Sequence, residues 1–502
     1  MVLKPAQPGS QAPPARRSRT ASSRTASSRI VRWRQGGAAL LRRHWLAAAL
    51  LAAGLVLRVL VQLAYRPALF YIDTTRYLYN AEGMDPVGYK GPLRAILWAG
   101  GFNAVPAVQH LLGLAMAVVI YLLLQRRGVP RWLAALAMAP VLLDAYQLQI
   151  EQMVMPDTLF EAMIVAGLAI LLWQPKASWR RAVTAGVVLG ASATVAQVGE
   201  SLLLPAVIYL LAAGGGWRHA IGKAVVMCGA FALPIGIYCT GSYLLTGQFF
   251  LSHTGVTSGY GRMAAAADCA TLQLPSAERA MCPGKAQQAN GPDWLEYSPN
   301  SPVQPYYAHL PRAQTDSLIS DFNHRVLTQQ PLRVLGAYTG DVLKLFAPAR
   351  NQSPGDTPIS RWRFQTTFPY FPPHSSKQAV STEISGYGGS APSVWQPVAA
   401  FLRAYQLDGG YTPGPLFALC ALAGLAGSVT ALIRRRADAT TRQLARGCLL
   451  CFASGAAVLL VSDVFEFSWR YQLPALVTLL PAGALGIAVI IRQFRRSAPS
   501  GG

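Results

Sequence analysis

The sequence predicts an all-α polytopic membrane protein with about ten transmembrane helices and a mixed extracytoplasmic region. Three observations carry that expectation. Of 502 residues, 52% are hydrophobic and only 13% are charged, a balance foreign to soluble globular domains. Ten apolar stretches recur, near 45–65, 104–125, 132–149, 158–174, 182–198, 201–214, 224–246, 413–433, 447–463 and 471–491. Each meets or approaches the roughly 20 residues that cross a hydrocarbon core of about 30 Å. Short basic clusters separate these stretches, and with the N-terminus in the cytoplasm nearly all of them fall on that side.

Residues 1–44 carry ten Lys and Arg and no acid, in a background of Ser, Pro and Ala. Such a composition cannot bury a core and predicts a disordered basic cytoplasmic tail. Its attraction to anionic lipid, about 1 kcal/mol per basic residue near the surface, accounts for much of the +23 net charge without nucleic acid. The first apolar stretch follows this tail at full spanning length and reads as a signal anchor rather than a cleaved leader.

An N-terminal membrane module of about seven spans follows over 45–246. Its fifth and sixth stretches are short, which is compatible with tilted, broken or re-entrant helices. The expected inside loops hold Arg126, Arg127 and Arg131; Lys176, Arg180 and Arg181; and Arg218, His219 and Lys223. A C-terminal module of about three spans covers 413–491, with Arg434–Arg436, Arg442 and Arg446 inside. The cytoplasmic tail 492–502 adds Arg492, Arg495 and Arg496.

Four segments are left for the outside: a loop at 66–103, a turn at 150–157, the region 247–412 and a loop at 463–470. In the long region Phe322, Val326, Leu335, Leu343 and Phe346 recur at roughly helical spacing over 314–347. Arg333, Asp341 and Lys344 argue against a span, at about 2.5–3.5 kcal/mol each in mid-bilayer. An amphipathic helix at the interface is expected there. Cys269 and Cys282 are the cysteines of the outer segments and would close a disulfide in an oxidising exterior.

The outer segments also collect the chemistry. Asp73 lies a few residues past the first span among aromatic neighbours, and Arg76 would share a helical face with it. Lys90 and Arg94 follow in Gly88-Tyr-Lys-Gly-Pro-Leu-Arg94, on the side that the positive-inside bias clears. Asp157 follows Pro156 at a helix start, where a cap is the plain alternative role, and Glu161 lies one turn on at the membrane boundary. The loop 463–470 holds Asp463, Glu466 and Arg470. Arg470 is placed either to bind an anion or to pair with Glu466. Arg58, inside the first span, must snorkel or pair. An outer carboxylate can deprotonate a hydroxyl while cations stabilise a phosphate leaving group. No Walker loop, zinc-type His/Cys cluster or Gly-x-Ser-x-Gly elbow is present for other chemistries.

At these residues the chain resembles the GT-C superfamily of polytopic glycosyltransferases, in the lipid-carrier-dependent branch of protein O-mannosyltransferases and aminoarabinose transferases. The matching pieces are Asp73, the Gly88-Tyr-Lys-Gly-Pro-Leu93 stretch, Pro156-Asp157-Thr-Leu-Phe160 and Arg470-Tyr471-Gln-Leu-Pro474. The resemblance covers 45–250 and the final span, and no matching motif falls in 251–410. It implies a GT-C-like helical membrane core, a polyprenyl-phosphate sugar donor, inversion at the anomeric carbon and Asp73 as the base. Many relatives have an Asp-Glu pair where this chain has Asp73-Thr74, so a divalent cation is left open.

The expected function is transfer of a sugar from that donor to a glycan, protein or lipid acceptor at the outer face of a bacterial plasma membrane. Asp73 serves as catalytic base, Asp157 and Glu161 orient acceptor or donor, and Arg76, Lys90, Arg94 and Arg470 are candidates for the donor phosphate. Membrane lipids are partners and nucleic acid is not. The alternatives are a multi-span transporter or lipid flippase, which calls for internal repeats and midplane charges, and a non-enzymatic scaffold binding a wall component through 247–412.

Overall fold

The computed structural model describes residues 42–79, 86, 88–213, 216–252, 254–372, 374–433 and 438–497. Most of the expected basic tail, Arg434–Arg436 and the last five residues lie outside them. The chain divides into two compact units, Met1–Ala49 and Leu50–Gly502. In the first, the described residues open a helix, with the Ala48 N–H donating to the His44 carbonyl at 3.0 Å.

Helices stand at every apolar stretch. They are α1 (Trp45–Ala64), α2 (Lys90–Arg126), α3 (Arg131–Leu143), α4 (Ala145–Gln152), α5 (Asp157–Leu172), α6 (Trp179–Val195), α7 (Leu203–Ala212) and α8 (Trp217–Thr246). Five helices among the described residues are long and apolar enough to cross a membrane, and a sixth span results if the bent α3–α4 pair counts as one. Gln197–Ala212 and Gly414–Thr430 are shorter apolar helices.

Two interruptions shape the N-terminal module. α2 begins within the segment expected as a loop and kinks at Gly100–Gly101, where Gly101 adopts φ +61, a left-handed conformation that glycine takes at no steric cost. α3 and α4 meet at 49° because Asp144 ends one helix and caps the next. Its carboxylate accepts from the N–H groups of Tyr146 (2.9 Å) and Gln147 (3.3 Å).

The region 247–412, expected outside, is mostly helical: α9 (Thr254–Ala266), α10 (Gly291–Tyr297), α11 (Arg312–Gln329), α12 (Pro331–Lys344) and α13 (Gln396–Leu407). Tyr260, Met281, Leu295, Ile319, Phe322 and Val326 form its buried core. The single helix expected over 314–347 is two helices, broken where Pro331 supplies no N–H and starts α12. Phe322 and Val326 are core residues, whereas Leu335 and Leu343 are 53% and 68% exposed. The charged residues there are paired: Arg262 meets Asp341 at 2.6 Å, and Lys344 meets Asp341 (2.8 Å) and Asp356 (2.6 Å).

A two-stranded antiparallel pairing joins the ends of the outer segments. β1 (Tyr65–Arg66) runs against β2 (Ser393–Val394), with Tyr65 opposite Val394. The C-terminal helices α14 (Gly414–Ile433), α15 (Ala439–Ser462) and α16 (Pro474–Ser497) pack through small residues. A Cβ on Gly486 would lie 2.0 Å from the Ala423 carbonyl oxygen, the close backbone approach typical of membrane helix pairs.

Candidate active site

Asp73 and Asp157 come together because the chain ahead of each is stitched to the other. After β1 the chain runs beside the α4–α5 linker: Leu69 N–H donates to the Gln152 carbonyl and Val154 N–H to the Leu69 carbonyl, both at 2.9 Å. Thr74 Oγ1 accepts from Tyr71 N–H (2.9 Å) and donates to the Val154 carbonyl (3.1 Å). α2 holds the linker from the other side, where Gln109 Nε2 donates to the Glu151 (2.8 Å) and Met153 (2.6 Å) carbonyls. Tyr89 donates its hydroxyl hydrogen to Gln109 Oε1 at 3.0 Å. Asp157 then opens α5 directly after Pro156, an acid in the first turn of that helix.

Arg470 enters from the 3-10 turn Trp469–Gln472 ahead of α16. Its Nη1 lies 3.6 Å from Asp73 Oδ2 and its Nε lies 3.6 Å from Asp157 Oδ1. The guanidinium stacks over Trp362 (5.1 Å) and Tyr471 (5.4 Å). Arg470 Nε is buried and, among the described residues, has no hydrogen-bond partner. The other Asp73 oxygen faces Arg76 Nη1 at 3.4 Å, three residues on in the short helix Thr74–Leu78. Arg76 lies over the Tyr297 ring of α10 at 5.4 Å. Asp73, Asp157 and Arg470 are each about a fifth exposed, so the constellation is recessed and still reachable.

Residues of the region 247–412 and of the loop before α16 complete this cluster. Arg361 Nη1 donates to the Tyr71 hydroxyl (3.2 Å) and lies 3.4 Å from Asp293 Oδ2. Tyr71 packs against Trp362 (4.7 Å) and Phe371 (5.3 Å). Glu466 accepts the Tyr471 hydroxyl hydrogen at 2.7 Å. Burial raises the Asp293 carboxyl above its ordinary range against the pull of Arg361, and burial with the nearby Asp293 charge raises Glu466. Burial likewise pushes Glu296 up to about 8, opposed by its Ser258 hydrogen bond.

Four of the expected site residues therefore meet: Asp73, Asp157, Arg76 and Arg470. Arg470 stands between the two aspartates, and the plain alternative of a pair with Glu466 gives way because Glu466 is engaged by Tyr471. Glu161, one turn after Asp157 on α5, is buried. It is 1% exposed, accepts from Gln147 Nε2 at 2.7 Å, and has its other carboxylate oxygen without a hydrogen bond among the described residues. Lys90 is buried at the start of α2, and Arg94, one turn on, is exposed and makes no ion pair among the described residues. Arg58 does pair, with Glu151 at 2.7 Å, and also donates to the Gly54, Val141 and Leu142 carbonyls. Cys269 and Cys282 form a disulfide.

Asp293, Arg361 and Trp362 were not singled out in the sequence. The available signal was Arg361-Trp362-Arg363, an outer basic pair around an aromatic residue that resembles Trp469-Arg470-Tyr471 in composition. The acids do not fit a metal. Asp73, Asp157 and Asp293 each face a guanidinium, and among the described residues no group of three or more His, Cys, Asp or Glu side chains is placed to hold an ion.

No protein-family model and no curated protein matches the sequence. Among solved structures, the chain is similar to the S. cerevisiae protein O-mannosyltransferase Pmt1-Pmt2 complex bound to the sugar donor, at 16% identity and a TM-score of 0.33 over 44% of this chain. It is also similar to the oligosaccharyltransferase AglB from Archaeoglobus fulgidus in complex with an inhibitory peptide and a dolichol-phosphate, at 11% identity and a TM-score of 0.39 over 92% of this chain. The chain spans 36% and 53% of those chains, respectively.

Proposed function

We propose that this membrane protein is a GT-C-type glycosyltransferase that moves a sugar from a polyprenyl-phosphate donor to an acceptor at the outer face of the plasma membrane, with inversion. The observation that carries the reading is Arg470. A buried guanidinium nitrogen without a hydrogen bond calls for an explanation, and an arginine fork suits phosphate oxygens. Held between Asp73 and Asp157, it puts a phosphate-binding cation beside a carboxylate base.

The reaction follows from that juxtaposition. Asp73 removes the acceptor proton as the acceptor attacks the anomeric carbon, and the bond from that carbon to the phosphate oxygen breaks. The electron pair leaves with polyprenyl phosphate, and Arg470, with Arg76 nearby, offsets the growing charge. A single displacement from the face opposite the leaving group inverts the anomeric centre. Asp157 holds Arg470 in place from its other edge. The test is to incubate purified protein with a panel of polyprenyl-phosphate sugars and look for free polyprenyl phosphate. The reading expects release with at least one donor that depends on acceptor, and protein inert toward the whole panel would count against it.

A further inference from the structure

The long outer region brings a second guanidinium to the constellation. Arg361 lies in the 3-10 turn Ile359–Trp362, and Gln149 of α4 donates to its carbonyl at 3.4 Å. The side chain reaches the Tyr71 hydroxyl, two residues before Asp73. Its neighbour Trp362 packs on the Tyr71 ring and under the Arg470 guanidinium. Arg361 and Arg470 thus both border the Tyr71–Trp362 pair, one reaching the hydroxyl of Tyr71 and the other stacking on Trp362.

The Arg361–Asp293 contact lacks the geometry of a closed brace. Charge-assisted guanidinium–carboxylate bonds run at about 2.7–2.9 Å and are frequently bidentate, whereas here one nitrogen stands 3.4 Å from one oxygen. Among the described residues, Nη1 is the side-chain nitrogen of Arg361 that hydrogen-bonds, and its partner is the tyrosine. Both members are partly open, Arg361 at 21% and Asp293 at 25%. Burial raises the Asp293 carboxyl against the opposing pull of Arg361.

We infer that Arg361 binds an oxyanion of the substrate and gives up Asp293 to do so. This rests on the glycosyl-transfer reading above. The oxyanion is either the phosphate of the donor or an anionic group on the acceptor, chemistry that a guanidinium accepts equally well. Because Asp293 is carried by α10, whose Tyr297 also meets Arg76, occupation of the site is felt by the helical outer region through this exchange.

The experiment uses full-length protein in lipid nanodiscs. Its probes are binding of polyprenyl monophosphate and steady-state transfer with the best donor of the panel. Arg361→Gln is expected to weaken polyprenyl-phosphate binding roughly 10- to 100-fold, the range for a lost hydrogen bond to a charged group. Arg361→Lys is expected to recover part of that loss, and Asp293→Asn to leave binding unchanged or tighter. If the anion belongs to the acceptor, Arg361→Gln leaves polyprenyl-phosphate binding intact and raises the acceptor KM by a similar factor. The inference is overturned if Arg361→Gln moves neither quantity, or if Asp293→Asn causes the same loss as Arg361→Gln, since a structural brace fails alike from either end. Wild-type protein that neither binds nor releases polyprenyl phosphate overturns the transferase reading itself, a different result from wild-type binding that Arg361→Gln does not change.

Discussion

Thr74 and Val154, eighty residues apart, are joined by a buried hydrogen bond of 3.1 Å from the threonine hydroxyl to the valine carbonyl. The same hydroxyl accepts the Tyr71 N–H, so one side chain ties the loop that carries Asp73 to the segment that leads into Asp157. Thr74→Val keeps the volume and leaves one donor and one acceptor unmet, at a cost of about 1–3 kcal/mol each at most. Its larger effect is expected on turnover, because displacement of a reacting group by about 1 Å can cost roughly 100-fold. Melting temperature and kcat measured on the same preparation test this. A wild-type kcat would show that the stitch does not set the site.

Asp73→Asn keeps the shape of the side chain and removes its capacity to take a proton. Loss of a positioned general base is worth about 10²–10⁴ in rate, so free polyprenyl phosphate should fall by at least that order. Asp73 is partly exposed and outside the helical core, so expression and membrane insertion should match wild type. A variant that inserts normally and retains full transfer would remove Asp73 from the mechanism.

Arg470→Lys separates charge from geometry. The lysine retains the cation but is a point donor on a flexible stem, unable to face two carboxylates 3.6 Å away from different nitrogens. Transfer is expected to drop about as far as in Arg470→Gln. Full activity in the lysine variant would mean that the fork has no part in the site.

The sequence conveyed the helical architecture through hydropathy and basic punctuation, because the bilayer imposes length and charge sidedness on every span. It also drew attention to Asp73, Asp157, Arg76 and Arg470, which the fold brings together, because each is a charge at a position that a simple loop or helix end does not need. It did not convey what those charges meet. Arg361 and Asp293 reach the site only through the packing of the long outer region, which has no hydropathy rhythm tying it to the membrane helices. The surroundings of Glu161 were not legible either: its spacing from Asp157 is helical, but it is bonded by Gln147 from another helix, and no local pattern encodes that neighbour. The 314–347 pattern likewise ran through Pro331 because apolar periodicity continued across a broken helix.

Buried acids at positions 296 and 463 are expected to make stability pH-dependent. Asp463 has both carboxyl oxygens buried without a hydrogen bond among the described residues, and burial with the adjacent Asp341 pushes it up to about 8. Glu296 is also pushed up to about 8. An acid whose folded value exceeds its unfolded one keeps a proton that the unfolded chain has released. The stability contributed by protonation is therefore complete below the ordinary carboxyl range and is lost as pH rises through about 8. Melting temperature should fall from pH 6 to pH 9, and Asp463→Asn with Glu296→Gln should flatten that fall. An equally steep fall in the double variant would show that other groups govern it.

Inside the membrane module, Glu151 stands between two potential cations, with Arg58 Nη2 at 2.7 Å and His110 Nδ1 at 2.8 Å. Arg58 is 2% exposed on the first span, so its charge is sustained by Glu151 and by carbonyls of α1 and α3. Removing only the acid, as in Glu151→Ala, strands that charge and is expected to cost about 3–5 kcal/mol. Removing both, as in Arg58→Leu with Glu151→Leu, discards the desolvation burden along with the attraction and should cost less than the acid alone. The comparison is made by melting Glu151→Ala, Arg58→Leu, Glu151→Leu and the double variant in detergent beside wild type. Costs for Arg58→Leu and Glu151→Leu that simply add in the double variant would mean that the two side chains are uncoupled, and the pairing would then carry no part of the module's stability.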